Sequence, residues 1–277
     1  MDLNAVTDVL RPCGRAELPI ACEGDAVLGG GTWLFSEPQP AIRRLIDLAG
    51  FGWEPLRTGA DGLTLSATCT IAELNGLEAP SEWRAAFLIR ECCRAFLASF
   101  KIWNMATVGG NICLALPAGP MISLAAALEG EGVLWAPEGT ERRVRIADFV
   151  RGPREVALAL GEVLRAVHLP AEALRRRAAF RRASLTPLGR SGVLLIGTRG
   201  EEGDFALTVT ASTRRPVQLV FPAMPISGEL AAQLAAAIPD ALYYDDMHGR
   251  PDWRRHMTHL LAQEIRDELS EPGEGRA

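Results

Sequence analysis

No stretch of the 277-residue chain reaches the ~18 consecutive apolar residues of a membrane-spanning helix. Met1 to Leu10 lacks the basic start and apolar centre of a secretory signal, so a cytoplasmic location is expected. The six cysteines, Cys13, Cys22, Cys69, Cys92, Cys93 and Cys113, include no Cys-x-x-Cys pair. That spacing argues against zinc or iron–sulfur ligation within the chain, and the density is too low for a disulfide framework. Free, mostly buried thiols are the expectation. A basic excess is missing as well. The 29 Lys and Arg stand against 34 Asp and Glu, a net charge of −5, which gives no reason to expect nucleic acid as the main partner.

Familiar catalytic signatures are absent. There is no Gly-x-Gly-x-x-Gly opening a helix, no Gly-x-x-x-x-Gly-Lys-Ser/Thr, and no Gly-x-Ser-x-Gly elbow. His256 and His259 share a helical face without a His-Glu-x-x-His pattern, and read as surface histidines rather than metal ligands. His168 falls in a strand-like segment and reads as a partly buried, satisfied side chain. No side chain stands out as a proton donor or nucleophile, so no catalytic residue and no metal ligand is assigned.

What is present suits a folded enzyme component. Apolar residues make up 48%, enough for a sizeable core, in one large domain or two to three smaller ones. Ala26 to Leu28, Arg44 to Leu48 and Val133 to Ala136 read as strands, and Leu63 to Ala67 as a half-buried strand of period two. Ser81 to Phe100 reads as a helix capped by Ser81, with Ala86, Ile89, Cys93, Phe96 and Phe100 on one face. Met121 to Leu128 reads as a short helix. Beyond Pro170 comes a basic stretch, Arg175 to Arg182, read either as a solvated face or as an interdomain surface. Strands at Val193 to Ile196 and Phe205 to Val209 precede helices at Glu229 to Ile238 and Asp252 to Leu269. Asp252 is the expected cap of the last helix, whose apolar stripe is Trp253, Met257, Leu260, Leu261 and Ile265. The tail from Glu271 to Ala277 is expected to be disordered.

Two glycine-rich segments carry the functional signal. Gly29-Gly30-Gly31-Thr32 follows the first strand, and Thr107-Val108-Gly109-Gly110-Asn111 comes 75 residues later, counted Thr32 to Thr107. Glycine permits positive φ and close backbone approach, and successive N–H groups in such a turn make an anion-binding concavity. An ordinary tight turn is the other reading of either segment alone. Together the two could grip both phosphates of one extended dinucleotide.

Leu28 to Leu34 resembles the first FAD-binding loop of the molybdenum hydroxylase flavoproteins, of the xanthine dehydrogenase and carbon monoxide dehydrogenase type. Met105 to Ile112 resembles the second loop of that family, and Thr68 to Leu74 the segment between. Ala147 to Pro153 with Gly161 to Leu164 resembles the end of the FAD domain, and Asp246 to Arg250 with Trp253 to Arg255 the C-terminal domain. The resemblance implies an α+β chain: a vanillyl-alcohol-oxidase-type FAD-binding domain in two subdomains (1–55 and 56–170) and a C-terminal domain of short antiparallel sheet and helices (171–277). It implies an electron-transfer role, with FAD taking electrons from [2Fe–2S] clusters and passing them to an external acceptor. The clusters and the molybdopterin belong to a small iron–sulfur subunit and a large molybdopterin subunit, the whole forming a dimer of heterotrimers. The residues carried over as cofactor-binding are Gly29, Gly30, Gly31, Thr32, Trp33, Thr107, Gly109, Gly110 and Asn111, with Arg181 matched to a basic residue near the flavin ring. FAD is expected to be non-covalent, since no histidine adjoins either loop. Two positions depart from the pattern: Trp33 stands where many relatives have Asp, and Pro120 where relatives have an Asp that contacts the adenosine half. Trp33 reads as a core aromatic or as a stacking partner for an aromatic ring. Two other functions fit these departures, a flavin-free scaffold subunit of the same complex and a binding module for another phosphate ligand.

Overall fold

Three short parallel strands open the chain: β1 (Asp8–Leu10), β2 (Asp25–Leu28) and β3 (Arg44–Asp47), in the order β1-β3-β2. The computed structural model describes residues 3–271; the expected disordered tail lies outside them except for Glu271. Arg44 holds Asp25 through two bonds of 2.7 Å and so fastens β3 to β2 at their amino ends. Because the strands are parallel, Leu10, Leu28 and Asp47 all end on one edge, where ligands of parallel sheets bind. The first glycine turn starts there.

The next stretch contains β4 (Leu56–Gly59), β5 (Gly62–Ser66), α1 (Ile71–Asn75), α2 (Phe87–Ala95), α3 (Phe100–Trp103), α4 (Val108–Leu114), α5 (Pro120–Ala127), β6 (Glu131–Trp135), β7 (Glu141–Arg145), α6 (Ile146–Phe149), β8 (Val150–Gly152), β9 (Glu155–Val156) and β10 (Val163–Pro170). Five strands form an antiparallel sheet, β4-β5-β10-β6-β7, and β8 pairs with β9 as a hairpin. Strand β5 is more covered than a half-buried strand: Leu63 and Leu65 point into the core, and Ser66 is buried too, leaving Thr64 partly open. It is a central strand, and its second face is closed by the Ser66–Thr68 hydroxyl pair and by Thr64 against His168 Nδ1 at 3.1 Å.

The single helix read over Ser81 to Phe100 is shorter: a 3-10 turn over Arg84–Ala86 leads into α2, which ends at Ala95, and α3 begins only at Phe100. Pro80 O accepts the Trp83 N–H in a turn, so Ser81 sits inside that turn and caps nothing. Leu97 adopts φ +47 and stops α2, after which α3 starts afresh. Ile89 and Cys93 are buried as the stripe required, but Phe100, past the break, is 73% exposed.

The last part contains α7 (Ala171–Arg175), β11 (Arg177–Ala183), β12 (Val193–Arg199), β13 (Phe205–Thr210), β14 (Val217–Phe221), α8 (Ser227–Ala237) and α9 (Pro251–Ser270). Its four strands pair antiparallel in sequence order. The alternation of side chains along β11 and β12 feeds two cores at once. Ala178, Phe180, Leu194 and Ile196 join the core built on β5 and α5, while Ala179, Val193 and Leu195 join one built on α8 and α9. The basic stretch therefore runs between the two cores rather than along a solvated face. It is mostly strand, with Arg176 on Asp204, Arg181 on Glu264 and Glu268, and Arg182 on Ser191. The last helix is capped by Arg250 with Pro251 in its first turn, so Asp252 lies inside the helix, where its charge still favours the amino end. In its stripe Leu261 and Ile265 are buried, while Leu260 is 45% exposed.

Candidate functional site

The first glycine segment leaves β2 and curls into one helical turn. Gly31 adopts φ +70, and the Phe35 and Ser36 N–H groups donate to Gly31 O and Trp33 O, each at 2.9 Å. Among the described residues, the N–H groups of Gly29, Gly30, Gly31 and Thr32 meet no protein acceptor. Four consecutive free donors at the carboxyl edge of a parallel sheet form a concavity suited to an anion.

The second segment is a helix start rather than a loop. Thr107 caps α4, accepting the Gly110 N–H at 3.0 Å, so Gly109, Gly110 and Asn111 lie in the first turn. Its donors are used inside the protein: Val108 N–H on Cys69 O, Gly109 N–H on Ala67 O, and Asn111 N–H on Thr107 O. A side-chain carbon on Gly109 would press on Ala67, and one on Gly29 would come 2.8 Å from Thr107 Oγ1. One on Gly30 would overlap Met105 O. The structure thus brings the two glycine segments into contact, the first offering free donors and the second supplying the wall behind it. Asn111 Oδ1 accepts the Met121 N–H at 3.1 Å and ties α4 to α5. Pro120 opens α5, a position that needs no N–H.

Trp33 is partly buried, and what lies over it is a cation rather than an aromatic ring. The Arg154 guanidinium sits 4.7 Å from its ring centre. Arg154 comes from the turn between β8 and β9, adopts φ +61, and donates its N–H to Ala115 O at 3.1 Å. Sequence reasoning missed this residue; the Gly152-Pro153 pair marks a turn, but nothing local reveals that it reaches Trp33. Arg165 was missed too. It lies at the bulge of β10, stacks on Trp53 at 4.3 Å and Trp135 at 5.4 Å, and burial pulls its pKa below the ordinary arginine value. Arg181 is bound to Glu264 at 2.9 Å and Glu268 at 2.7 Å on α9. It touches neither glycine segment.

Among the described residues no three metal-binding side chains cluster, and no helix is long and apolar enough to cross a membrane. Burial holds the His259 pKa down, with Arg255 and His256 adding to the effect. Cys69, Cys92 and Cys93 are buried, Cys113 is partly covered, and Cys13 and Cys22 are exposed.

Residues 20–172 match the FAD binding domain in molybdopterin dehydrogenase. The chain belongs to this family. Xanthine dehydrogenase 1 of Arabidopsis thaliana is 31% identical over 116 residues, covering 35% of this chain and 8% of that protein. Xanthine dehydrogenase 2 of the same plant is equally identical, and the chain spans under a tenth of either relative's length. Among solved structures, a CO dehydrogenase chain from Oligotropha carboxidovorans superposes with a TM-score of 0.78 at 22% identity, over 94% of this chain and 96% of that one. A chain of quinoline 2-oxidoreductase from Pseudomonas putida 86 gives 0.76 at 20% identity, over 97% and 98%. The carbon monoxide dehydrogenase of Hydrogenophaga pseudoflava gives 0.78 at 19%, over 96% and 98%. These superpositions cover 94–97% of the chain, so the shared fold runs past the FAD-binding domain to the C-terminal antiparallel sheet and helices.

Proposed function

We propose that this chain carries a non-covalent FAD whose diphosphate rests on the first glycine turn, and that it serves as the electron-transferring flavoprotein of a molybdenum-dependent hydroxylase. The carrying observation is the run of free N–H groups from Gly29 to Thr32, held open by the contact of Gly30 with Met105. Bound FAD supplies two-electron redox chemistry that no side chain offers. The protein's part is to hold and cover it. Gly29, Gly30, Gly31 and Thr32 donate to phosphate oxygens, with the Thr32 hydroxyl as a further donor. Thr107, Gly109 and Gly110 fix the wall against which the turn is pressed, and Asn111 keeps its amide nitrogen free of partners among the described residues while its oxygen holds α5. Trp33 covers the turn from the side. For Arg181 to approach a flavin ring, its ion pairs to α9 must open.

On this reading the chain divides at about residues 55 and 170 into two FAD-binding subdomains and a C-terminal domain. Its electrons arrive from [2Fe–2S] clusters in a small partner and originate at a molybdopterin subunit, in a cytoplasmic dimer of heterotrimers. The flavin-free alternative draws on Trp33 and Pro120, and neither obstructs the turn: Pro120 fits its helix start, and Trp33 lies beside the donors under Arg154. The test is flavin uptake. Purified protein given FAD should turn yellow, keep the colour through gel filtration, and release all of it on acid precipitation. Colourless protein would end the proposal, and colour retained in the acid pellet would show a covalent bond instead. Affinity capture from the native host should bring down the two partner subunits.

A further inference from the structure

The first glycine turn offers backbone dipoles but contains no cation: between Leu28 and Glu37 there is no Lys or Arg. A diphosphate carries two negative charges, and a charge-assisted bond is stronger than a neutral one. Arg154 reaches this segment from another part of the chain, meeting both Trp33 and Glu37. Its placement is over-determined. The backbone is held in the left-handed region, unusual for arginine, by the bond to Ala115 O. Ala115 is itself left-handed, at φ +50, and ends α4, the helix that begins with the second glycine segment. The guanidinium then lies over the ring of Trp33, next to Thr32, and its only carboxylate neighbour among the described residues is Glu37 at 3.7 Å, with both side chains more than half exposed. A loose ion pair of that kind contributes little and exchanges readily.

We propose that Arg154 is the cation of the diphosphate site, positioned by Trp33. This inference rests on the FAD reading of the glycine turn. Trp33 replaces a carboxylate here with a ring face that attracts a guanidinium, so the departure from the family pattern acquires a function. When the diphosphate arrives, Arg154 exchanges Glu37 for phosphate oxygens while keeping its stack on Trp33.

The experiment titrates full-length protein with FAD and, separately, with riboflavin, which has the ring but no phosphate. Arg154→Gln should weaken FAD about tenfold and leave riboflavin unchanged, as expected for loss of one charged hydrogen-bonding partner. Its FAD affinity should also depend less steeply on salt than that of the unmodified protein. Trp33→Leu should weaken FAD in part, and Arg154→Lys should restore part of the loss. Glu37→Gln, an exposed change that does not threaten folding, should tighten FAD by removing the competing carboxylate. Circular dichroism of each variant keeps misfolding apart from loss of binding. Arg154→Gln with unchanged FAD affinity, or with equal loss of FAD and riboflavin in a folded protein, overturns the assignment of Arg154 alone. Failure of the unmodified protein to bind FAD overturns the reading of the site and this inference with it.

Discussion

The place of a side-chain carbon on Gly30 is already taken by the carbonyl oxygen of Met105. Glycine is needed at residue 30 because another strand of backbone passes there, not because the turn is tight: among the three consecutive glycines only Gly31 has positive φ.

Gly30→Ala should therefore force the two glycine segments apart. The expected cost is about 1–3 kcal/mol, as for overpacking a close contact, together with loss of FAD binding. Gly110→Val is the comparison. A Cβ there meets only Thr107 Oγ1 at 2.9 Å, so the fold should survive while flavin affinity falls. Urea denaturation and FAD titration of both variants decide it; wild-type affinity in Gly30→Ala would show that the contact does not shape the site.

Thr107 supplies the cap of α4 through its hydroxyl. Thr107→Ala should lower stability by about 1 kcal/mol, and Thr107→Ser should recover most of it. Equal chemical-denaturation midpoints for Ala and Ser would mean that the hydroxyl bond contributes nothing.

Glu162 is 8% exposed and lies against Arg142, with bonds of 2.7 and 2.5 Å, while it also accepts the Ala159 N–H at 2.7 Å. The Arg142 bonds hold its carboxyl below the ordinary carboxylate value of 4.5. A carboxyl with a depressed folded-state pKa stabilises the fold fully above its unfolded value, and that contribution is lost as pH falls through the folded one. Glu162→Gln should thus cost about 1–3 kcal/mol at neutral pH, with the gap to wild type closing in acid below the ordinary carboxyl range. A gap that stays constant with pH would deny the ion pair its role.

The thiols should differ in their reaction with a thiol reagent. Cys13 and Cys22 are exposed, whereas burial pushes Cys69, Cys93 and Cys113 up to about 12 and raises Cys92 well above the usual thiol value. A thiol reagent at mildly alkaline pH should modify Cys13 and Cys22 quickly, Cys113 slowly, and Cys69, Cys92 and Cys93 only in denaturant. Fast modification of Cys92 in the folded protein would contradict the packing described for α2.

Sequence patterns exposed the strands that alternate cleanly or run apolar, and helices such as Pro120–Ala127 whose residues are almost all apolar. They failed where tertiary contacts decide. Nothing local in Ser81 to Phe100 marks the left-handed Leu97 that breaks the helix, and the arginines of β11 hid a strand because their partners lie far along the chain, as with Arg181 on Glu264 and Glu268 of α9. Strand β14, Val217–Phe221, was not read at all. At the candidate site, glycine spacing disclosed both segments, because backbone approach leaves that mark on a sequence. It did not disclose that the second is a helix start whose N–H groups are already engaged, nor that a cation arrives from residue 154.

The four-stranded sheet has no outer face of its own: Phe180, Leu194 and Ile196 are as much a part of the side that carries the glycine segments as Val193 and Leu195 are of the C-terminal side. Grafting the last hundred residues from a relative onto this chain therefore transplants half of somebody else's seam. Compatibility between the halves is a matter of one face of the sheet, where α5 also bonds Thr210 of β13 through Ser123 and accepts the Gln218 amide of β14 at Ala126 O. A chimera that exchanges β11 and β12 without the matching surface of α5 inherits a mismatched joint, whatever the quality of its cofactor loops. Drift in either half is coupled to the other through that shared wall, so the glycine-bearing domain and its C-terminal appendage must change in step.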